Sequence, residues 1–226
     1  MGTGMKKPTW SFSAIKMFEQ CPRKYYHLKV VKDFKDEATG DTQYGERFHE
    51  AAEFYVSGRA DLPPEFEFAR KALDKLQALP GVKHCEYEMG LTEDLEPCSI
   101  NDPAVWWRGI ADLTIINGTH ARVVDYKAGK SAKYADKDQL ELMALAVFKH
   151  FPEVTHVKGA LFFVIAKAFI KGEYSRDQEP VLWAKWLGRY NRIIACLKSG
   201  TWNPNTSGLC KAHCPVLSCI HNGRNM

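Results

Sequence analysis

A chain of 226 residues with 45% hydrophobic residues and six tryptophans is long enough to bury one substantial core. No run approaches the about 18–20 uninterrupted apolar residues of a membrane span, and the N-terminal residues lack the apolar stretch of a signal peptide. We therefore expect a cytoplasmic protein without membrane contacts. The net charge of +4 is modest and excludes no class of partner by itself.

Basic residues are concentrated at the two ends of the chain. Residues 1–35 contain eight Lys or Arg against two acids, and residues 196–226 contain three bases and no acid. This distribution suits a polyanionic partner such as nucleic acid, although an ordinary solvated surface gives the same pattern.

The first third of the sequence is typical of helices. Residues 11–32 begin with serine capping candidates and predict a helix that bends or breaks near Pro22. A polar stretch with glycine leads into a second predicted helix around 46–56. Two prolines, Pro63 and Pro64, precede a third near 65–79.

From about His84 the pattern becomes alternating and typical of strands. Two such runs, VWWRGIADLTII and THARVVDYKAGK, flank Asn117-Gly118, which is a strong signature of a type I′ hairpin. Residues 138–150 then predict an amphipathic helix, 157–167 a strand and 181–198 a last helix. This order predicts an α/β fold with a mixed core.

The predicted hairpin brings charged residues onto one face of the sheet. With Asn117 and Gly118 as the turn, Asp112 faces Val123, and Asp125 is its diagonal neighbour at about 7–8 Å. Lys127 lies one step further along the same face. Such buried charges are costly unless they bind something, although a buried salt bridge between an aspartate and the lysine is a simpler explanation.

Two carboxylates and a lysine together also indicate a chemistry. Hard oxygen ligands suit Mg²⁺ or Mn²⁺, which lower the pKa of a bound water and neutralise the charge of a phosphate. A neighbouring lysine offers a compact cation that positions the water or stabilises charge in the transition state. Asp112, Asp125 and Lys127 therefore predict phosphodiester hydrolysis.

Five motifs spread over most of the chain resemble those of one family, the PD-(D/E)xK nuclease superfamily, and specifically its RecB-like branch. That branch includes CRISPR-adaptation and AddB-type nuclease domains. The matching segments are CPRKYY at 21–26, Gly45-x-x-x-His49-Glu50, Gly109-Ile110-Ala111-Asp112, DYKAGK at 125–130 and Gln139-Leu140. The resemblance implies a restriction-endonuclease-like fold, with a mixed central sheet flanked by helices. It also implies that residues 1–226 form a single domain whose N- and C-terminal segments come together.

The same resemblance assigns roles to individual residues. Metal ligands would be His49, Asp112, Asp125 and the main-chain carbonyl of Tyr126, and Lys127 would be the catalytic lysine. Glu86 or Glu88 is similar in placement to an acidic residue that supports the metal site, and Glu86 enters the predicted set. In the helical motif, Met143 stands where the branch has a tyrosine. The predicted DNA contacts are Arg23, Lys24, Lys130 and Gln139.

Cysteines near the C-terminus form a further pattern. Many members of the branch hold a [4Fe–4S] cluster with one cysteine in the CPR motif and three near the C-terminus, which Cys21, Cys210, Cys214 and Cys219 resemble. The spacing departs from the branch's usual C-x₂-C-x₅-C, since it is C-x₃-C-x₄-C here. A zinc site with cysteine and histidine ligands, or no metal, remains an alternative.

The resemblance implies a Mg²⁺- or Mn²⁺-dependent deoxyribonuclease, an exonuclease of DNA recombination, repair or phage or CRISPR DNA processing. Such an enzyme would act in a bacterial, archaeal or phage-infected cell, with a helicase, recombinase or integrase as a partner. The alternative is a catalytically inactive DNA-binding or scaffold subunit of a recombination or CRISPR-adaptation assembly. The intact set of His49, Asp112, Asp125 and Lys127 favours the enzyme.

Overall fold

The structure is a computed structural model that describes residues 7–36, 40–129, 131–133 and 135–225. These residues form two compact units. The first unit combines Met1–Ala38 with Ala184–Met226, so the predicted association of the two ends of the chain is confirmed. The second unit is continuous and comprises Thr39–Trp183. None of the described helices has the length and apolar character needed to cross a membrane.

The second unit is built on a six-stranded sheet with the order β2-β1-β3-β4-β5-β6. Its strands are β1 (Val82–Leu91), β2 (Pro97–Cys98), β3 (Trp107–Asn117), β4 (His120–Lys127), β5 (His156–Phe163) and β6 (Ala168–Ser175). Strands β4 and β5 pair in parallel and the other neighbours are antiparallel. The predicted mixed central sheet is therefore confirmed.

Helices cover both faces of this sheet. They are α3 (Gly40–Val56), a 3₁₀ turn (Pro64–Ala69), α4 (Arg70–Gln77) and α5 (Asp138–His150). On one face, side chains of α3 and α4 form a core with Val124, Tyr126 and Phe162. On the other, Leu140 of α5 packs against Leu161 and Phe163. Because side chains alternate along a strand, β5 contributes Phe162 to the first core and Leu161 and Phe163 to the second.

The first unit is helical. Its elements are α1 (Phe12–Gln20), α2 (Pro22–Tyr25), a π-helix (Tyr26–Val31) and most of α6 (Glu179–Ser199), which begins in the second unit. Helix α1 ends at Gln20 with Cys21 as its C-cap, which agrees with the predicted break near Pro22, since Pro22 has no N–H with which to continue the hydrogen-bond ladder. Trp10 stacks on Trp186, with ring centroids 6.3 Å apart, and joins the two ends of the chain.

The β3–β4 hairpin has a different register from the predicted one. Asn117 pairs with His120 and Leu113 with Val124, so the turn consists of Gly118 and Thr119 and not of Asn117 and Gly118. Of the two residues in this turn, only Gly118 has a positive φ, of 57°. Type II′ turns require a positive φ at this first central position. The shift is two residues along the partner strand, which preserves the predicted face of every side chain.

Candidate active site

The ladder between β3 and β4 ends at Leu113 and Val124. At the next position the amide of Tyr126 donates to Oδ2 of Asp112 at 2.5 Å, so a carboxylate takes the place of a main-chain acceptor. Asp112 is only 7% exposed and Asp125 4%. The end of the hairpin therefore holds two buried carboxylates from adjacent strands.

Glu86 brings a third carboxylate from β1. Its neighbours pair normally with β3, Cys85 with Leu113 and Tyr87 with Ala111, so Glu86 lies across from Asp112. Glu86 itself has a φ of 47°, a left-handed conformation that costs a residue other than glycine about 1–3 kcal/mol. Glu88, the alternative in the sequence, is exposed.

A histidine from α3 completes the cluster. Ligand atoms of His49, Glu86 and Asp112 all lie within 4.8 Å of one another. Nδ1 of His49 lies 3.3 Å from Oδ1 of Asp112, and its Nε2 lies 3.1 Å from the main-chain oxygen of Tyr126. Among the described residues, no other set of three histidine, cysteine or acidic ligands is as compact.

The donor set fits a divalent cation. Oε1 of Glu86 is buried and has no hydrogen-bond partner, although an unsatisfied buried oxygen is costly. Carboxylate and carbonyl oxygens with one imidazole are the ligands that Mg²⁺ and Mn²⁺ accept. The His49, Glu86 and Asp112 cluster therefore has both the chemistry and the unused oxygen of a metal site.

Asp125 is held by two side chains of its own. The ammonium of Lys127 lies 2.6 Å from Oδ2, and the amide of Gln139 on α5 donates to Oδ1. Lys127 remains 34% exposed, so its ammonium is accessible to a substrate. Gln139, a predicted DNA contact, thus points at the carboxylate site.

The electrostatics of the site reflect burial together with an excess of negative charge. Burial, with the charge of Asp112 added, raises the pKa of Glu86 to about 7. Burial and Asp112 also raise the pKa of Asp125 to about 6, against the opposing effect of Lys127. The pKa of His49 is raised because the neighbouring carboxylates, Asp112 above all, outweigh the lowering effect of burial. A bound cation would relieve all three shifts.

Packing beneath the site explains two features of the motifs. Phe48 packs edge-on against the ring of Tyr126, at 5.6 Å between centroids, and this contact aims the next residue, His49, at the carbonyl of Tyr126. Gly109 has the ring of Trp107 lying against it, and a side chain there would collide with that ring. The glycine of the Gly-Ile-Ala-Asp motif is therefore required by packing.

The other predicted DNA contacts, besides Gln139, differ in where the structure places them. Lys130 lies outside the described residues. Arg23 and Lys24 are half-buried in α2 of the first unit, where Lys24 pairs with Asp36 at 3.5 Å. These positions leave their predicted role untested.

The four cysteines of the predicted cluster lie in the first unit. Sγ of Cys21 accepts hydrogen bonds from the main-chain amides of Lys24 and Asn205, both at 3.4 Å. Sγ of Cys210 accepts one from Ser207 at 3.5 Å. All four residues are half-buried, and none forms a disulfide. The C-terminal segment thus reaches the CPR motif.

Comparisons with known proteins agree with this architecture. A sequence profile of the PD-(D/E)XK nuclease superfamily matches residues 9–79 and 65–219. No curated protein matches the chain at a significant level.

Two solved structures match most of the chain at low sequence identity. One, named "putative exonuclease", is from Eubacterium rectale and is 14% identical, with a TM-score of 0.53 over 90% of this chain and 86% of that one. The other, SSO0001, is 13% identical, with a TM-score of 0.48 over 96% and 89% of the two chains. On the profile match, which spans nearly its whole length, the chain belongs to the PD-(D/E)XK nuclease superfamily.

Proposed function

We propose that this chain is a divalent-metal-dependent DNA nuclease of the RecB-like branch that hydrolyses phosphodiester bonds. The observation that carries the proposal is the cluster of His49, Glu86 and Asp112, with a buried and unpartnered oxygen on Glu86. Lys127 lies beside it on the neighbouring strand, paired with Asp125. Superfamily membership supports DNA as the substrate.

The residues that would hold Mg²⁺ or Mn²⁺ are His49, Glu86, Asp112, Asp125 and the main-chain carbonyl of Tyr126. When bound, the ion supplies charge neutralisation at the phosphate and a lowered pKa for a water nucleophile. Asp112 is already oriented by the amide of Tyr126, and Asp125 by Gln139. These contacts fix the carboxylates before any substrate arrives, which reduces the entropy lost on binding.

Lys127 has a role of its own. Its ammonium is partly exposed and lies against Asp125, so it can contact a phosphate oxygen without leaving the site. There it would stabilise the negative charge that grows on the phosphate during attack, the kind of interaction that accelerates a reaction most. Lys127 would supply positive charge and orient the phosphate, while Asp125 holds the ammonium of Lys127 in place.

The finer parts of the proposal rest on the motif series. Action as an exonuclease agrees with the name of the similar E. rectale protein. A role in DNA recombination, repair or phage or CRISPR DNA processing, with a helicase, recombinase or integrase, follows from the RecB-like motifs. Linear but not circular DNA would then be degraded.

We also propose that Cys21, Cys210, Cys214 and Cys219 hold a [4Fe–4S] cluster, with zinc as the alternative. Main-chain amides already donate to the sulfurs of Cys21 and Cys210, and such hydrogen bonds stabilise thiolate ligands.

The test uses labelled DNA, linear or circular and single- or double-stranded, with Mg²⁺, Mn²⁺ or EDTA. We expect metal-dependent degradation of linear DNA that is lost in Lys127→Ala. Cutting of circular DNA would make the protein an endonuclease. Binding without cutting by folded, metal-loaded wild type would contradict the proposal and indicate a DNA-binding subunit. Iron, sulfide and zinc content of anaerobically purified protein identifies the cysteine-bound metal.

A further inference from the structure

A pocket of about 310 Å³ opens on the second unit between α4 and the β5–β6 connection. Apolar side chains line its interior, among them Phe68, Phe162, Val164 and Phe169. Its volume is at the lower end of the range for ligand sites, about 300–1,000 Å³, which suits one flat ring system.

Two phenylalanines in this pocket are unusually exposed. Phe68 is 39% exposed and Phe169 is 42% exposed, whereas their stacking partners Phe48 and Phe162 are buried. The rings of Phe169 and Phe162 are parallel, with centroids 4.3 Å apart, and those of Phe68 and Phe48 are 6.5 Å apart. Each exposed ring is thus held by a buried ring behind it, which makes a rigid stacking surface.

The edge of the pocket is positively charged. Lys71 and Lys75 lie one turn apart on α4, and Lys167 lies between β5 and β6. All three are exposed, and within the described part of the chain none forms an ion pair. No acidic side chain lines the pocket. Apolar rings beside unneutralised cations match a ligand that has flat bases and negative phosphates.

The pocket is close to the proposed catalytic strand. Phe162 is the direct partner of Tyr126 in the parallel β4–β5 pairing, and the amide of Val164 donates to the carbonyl of Lys127 at 3.0 Å. Neighbouring strands are about 4.8 Å apart, so the floor of the pocket lies one strand from the residues that carry the chemistry. The pocket opens on the α4 face of the sheet, whereas the side chain of Lys127 lies on the α5 face. Lys127 is the last residue of β4, so a nucleic acid strand at the active site reaches the pocket around the end of this strand.

We propose that this pocket binds a base of single-stranded DNA by stacking on Phe169 and Phe68, while Lys71, Lys75 and Lys167 contact the flanking phosphates. The proposal rests on the proposed function, because it names the form of DNA that the site receives. A duplex keeps its bases stacked on each other and cannot offer one to the exposed rings. The pocket therefore selects single strands or frayed ends.

The test measures binding in EDTA, so its result does not depend on whether the chain cuts DNA. The probes are fluorescent oligo-dT, an oligonucleotide of the same length with abasic sites, and a duplex. We expect Phe169→Leu, which keeps an apolar side chain, to weaken oligo-dT binding about 10-fold, in line with the loss of one stacked base. Phe169→Tyr should bind as wild type, and wild type should bind the abasic strand as weakly as the leucine variant binds oligo-dT.

Salt dependence tests the lysines. Lys75→Gln should make the slope of log affinity against log salt shallower by about 0.7, the value for one phosphate contact on a single strand. Lys158→Gln, which removes a lysine that pairs with Glu173 near the other end of β5, should leave the slope unchanged. Equal weakening of oligo-dT and duplex binding by Phe169→Leu would overturn the proposal, as would unchanged oligo-dT binding. Cutting that persists in Phe169→Leu with weakened oligo-dT binding supports both proposals.

Discussion

The carboxylate cluster of the second unit and the four cysteines of the first unit are assembled in different ways. His49, Glu86 and Asp112 are carried by a helix and two paired strands, and their ligand atoms already lie together. Three of the cysteines follow α6, one in a 3₁₀ turn (Gly208–Cys210) and two in irregular turns after it. A sheet can hold a metal site open in advance, whereas a site in turns depends on its ligand for order.

The largest expected effect is on catalysis at the preassembled site. Lys127→Ala should lower the rate of DNA degradation by at least about 10²–10³-fold, because it removes a charge that acts on the transition state. The rate is measured on linear DNA at saturating Mg²⁺. Circular dichroism should show an unchanged fold, and Lys158→Gln should cut as wild type. A Lys127→Ala rate above a tenth of wild type would contradict the assignment.

Removal of a cysteine should act on stability instead. Cys21→Ala should lower the free energy of unfolding by about 2–5 kcal/mol, a cost comparable to the loss of a native cross-link that closes a long loop. Metal content should fall as well, while the cutting rate of the folded fraction stays within about 3-fold. Cys196→Ala in α6 is the matched control and should change neither the free energy of unfolding nor the metal content. Equal melting temperature and equal metal content in Cys21→Ala would contradict the cluster.

The carboxylate site should make the metal-free protein less stable as the pH rises. The pKa of Glu86 increases from 4.5 to about 7 on folding, so folding favours its protonated form. The stabilising contribution of Glu86 to the free energy of unfolding is fully present below pH 4.5, and it is lost as the pH rises from 4.5 to 7. A rise in pKa from 4.5 to about 7 corresponds to about 3 kcal/mol, which solvent screening of this half-buried carboxyl reduces to about 2 kcal/mol.

Urea denaturation in EDTA at pH 5 and pH 8 measures this effect. The free energy of unfolding should differ less between the two pH values in Glu86→Gln than in wild type. At pH 8, Mg²⁺ at 100 times its Kd should add about 2.7 kcal/mol to wild type, and less to the variant. An identical pH dependence in the two proteins would show that Glu86 ionises in the folded state as it does in water.

The smallest effect concerns the turn that sets the register. Gly118→Ala should destabilise the protein by about 1 kcal/mol, since Gly118 has a φ of 57°. Gly188→Ala in α6, where nothing lies within 4 Å of an added Cβ, should instead stabilise it by about 0.5–1 kcal/mol. In thermal melts, the melting temperature should fall in Gly118→Ala and rise in Gly188→Ala. Both should cut DNA at nearly the wild-type rate, because the strands around Asp112 remain paired.

Much of the fold could be predicted from the sequence because the relevant signals are local. Apolar periodicity predicted α5 over the residues observed, and Pro22 marked the end of α1. Strand alternation placed Asp112 and Asp125 on one face, and this survived an error of two residues in register. Strand β6 was not predicted, since none of its residues is buried and its pairing with β5 is a tertiary interaction.

The site was predictable in part. The choice between Glu86 and Glu88 depended on a left-handed backbone at Glu86, which no local pattern signals. The hydrogen bond from the side-chain amide of Gln139 in α5 to Asp125 in β4 is a tertiary contact, and it could not be predicted from either segment alone. The exposed rings of Phe68 and Phe169 were missed for a related reason. A phenylalanine in sequence is usually a core residue, and only the tertiary structure shows which ones face water.

The hydrogen bond from the amide of Tyr126 to Asp112 makes the candidate metal site observable by hydrogen–deuterium exchange. Amide protons exchange with deuterium when their acceptor is lost or their surroundings open. At Tyr126 the acceptor is a carboxylate of the site and not a peptide group, so the lifetime of one backbone proton follows the state of that carboxylate. Exchange at a single amide can therefore report occupancy of the site without any substrate and without turnover.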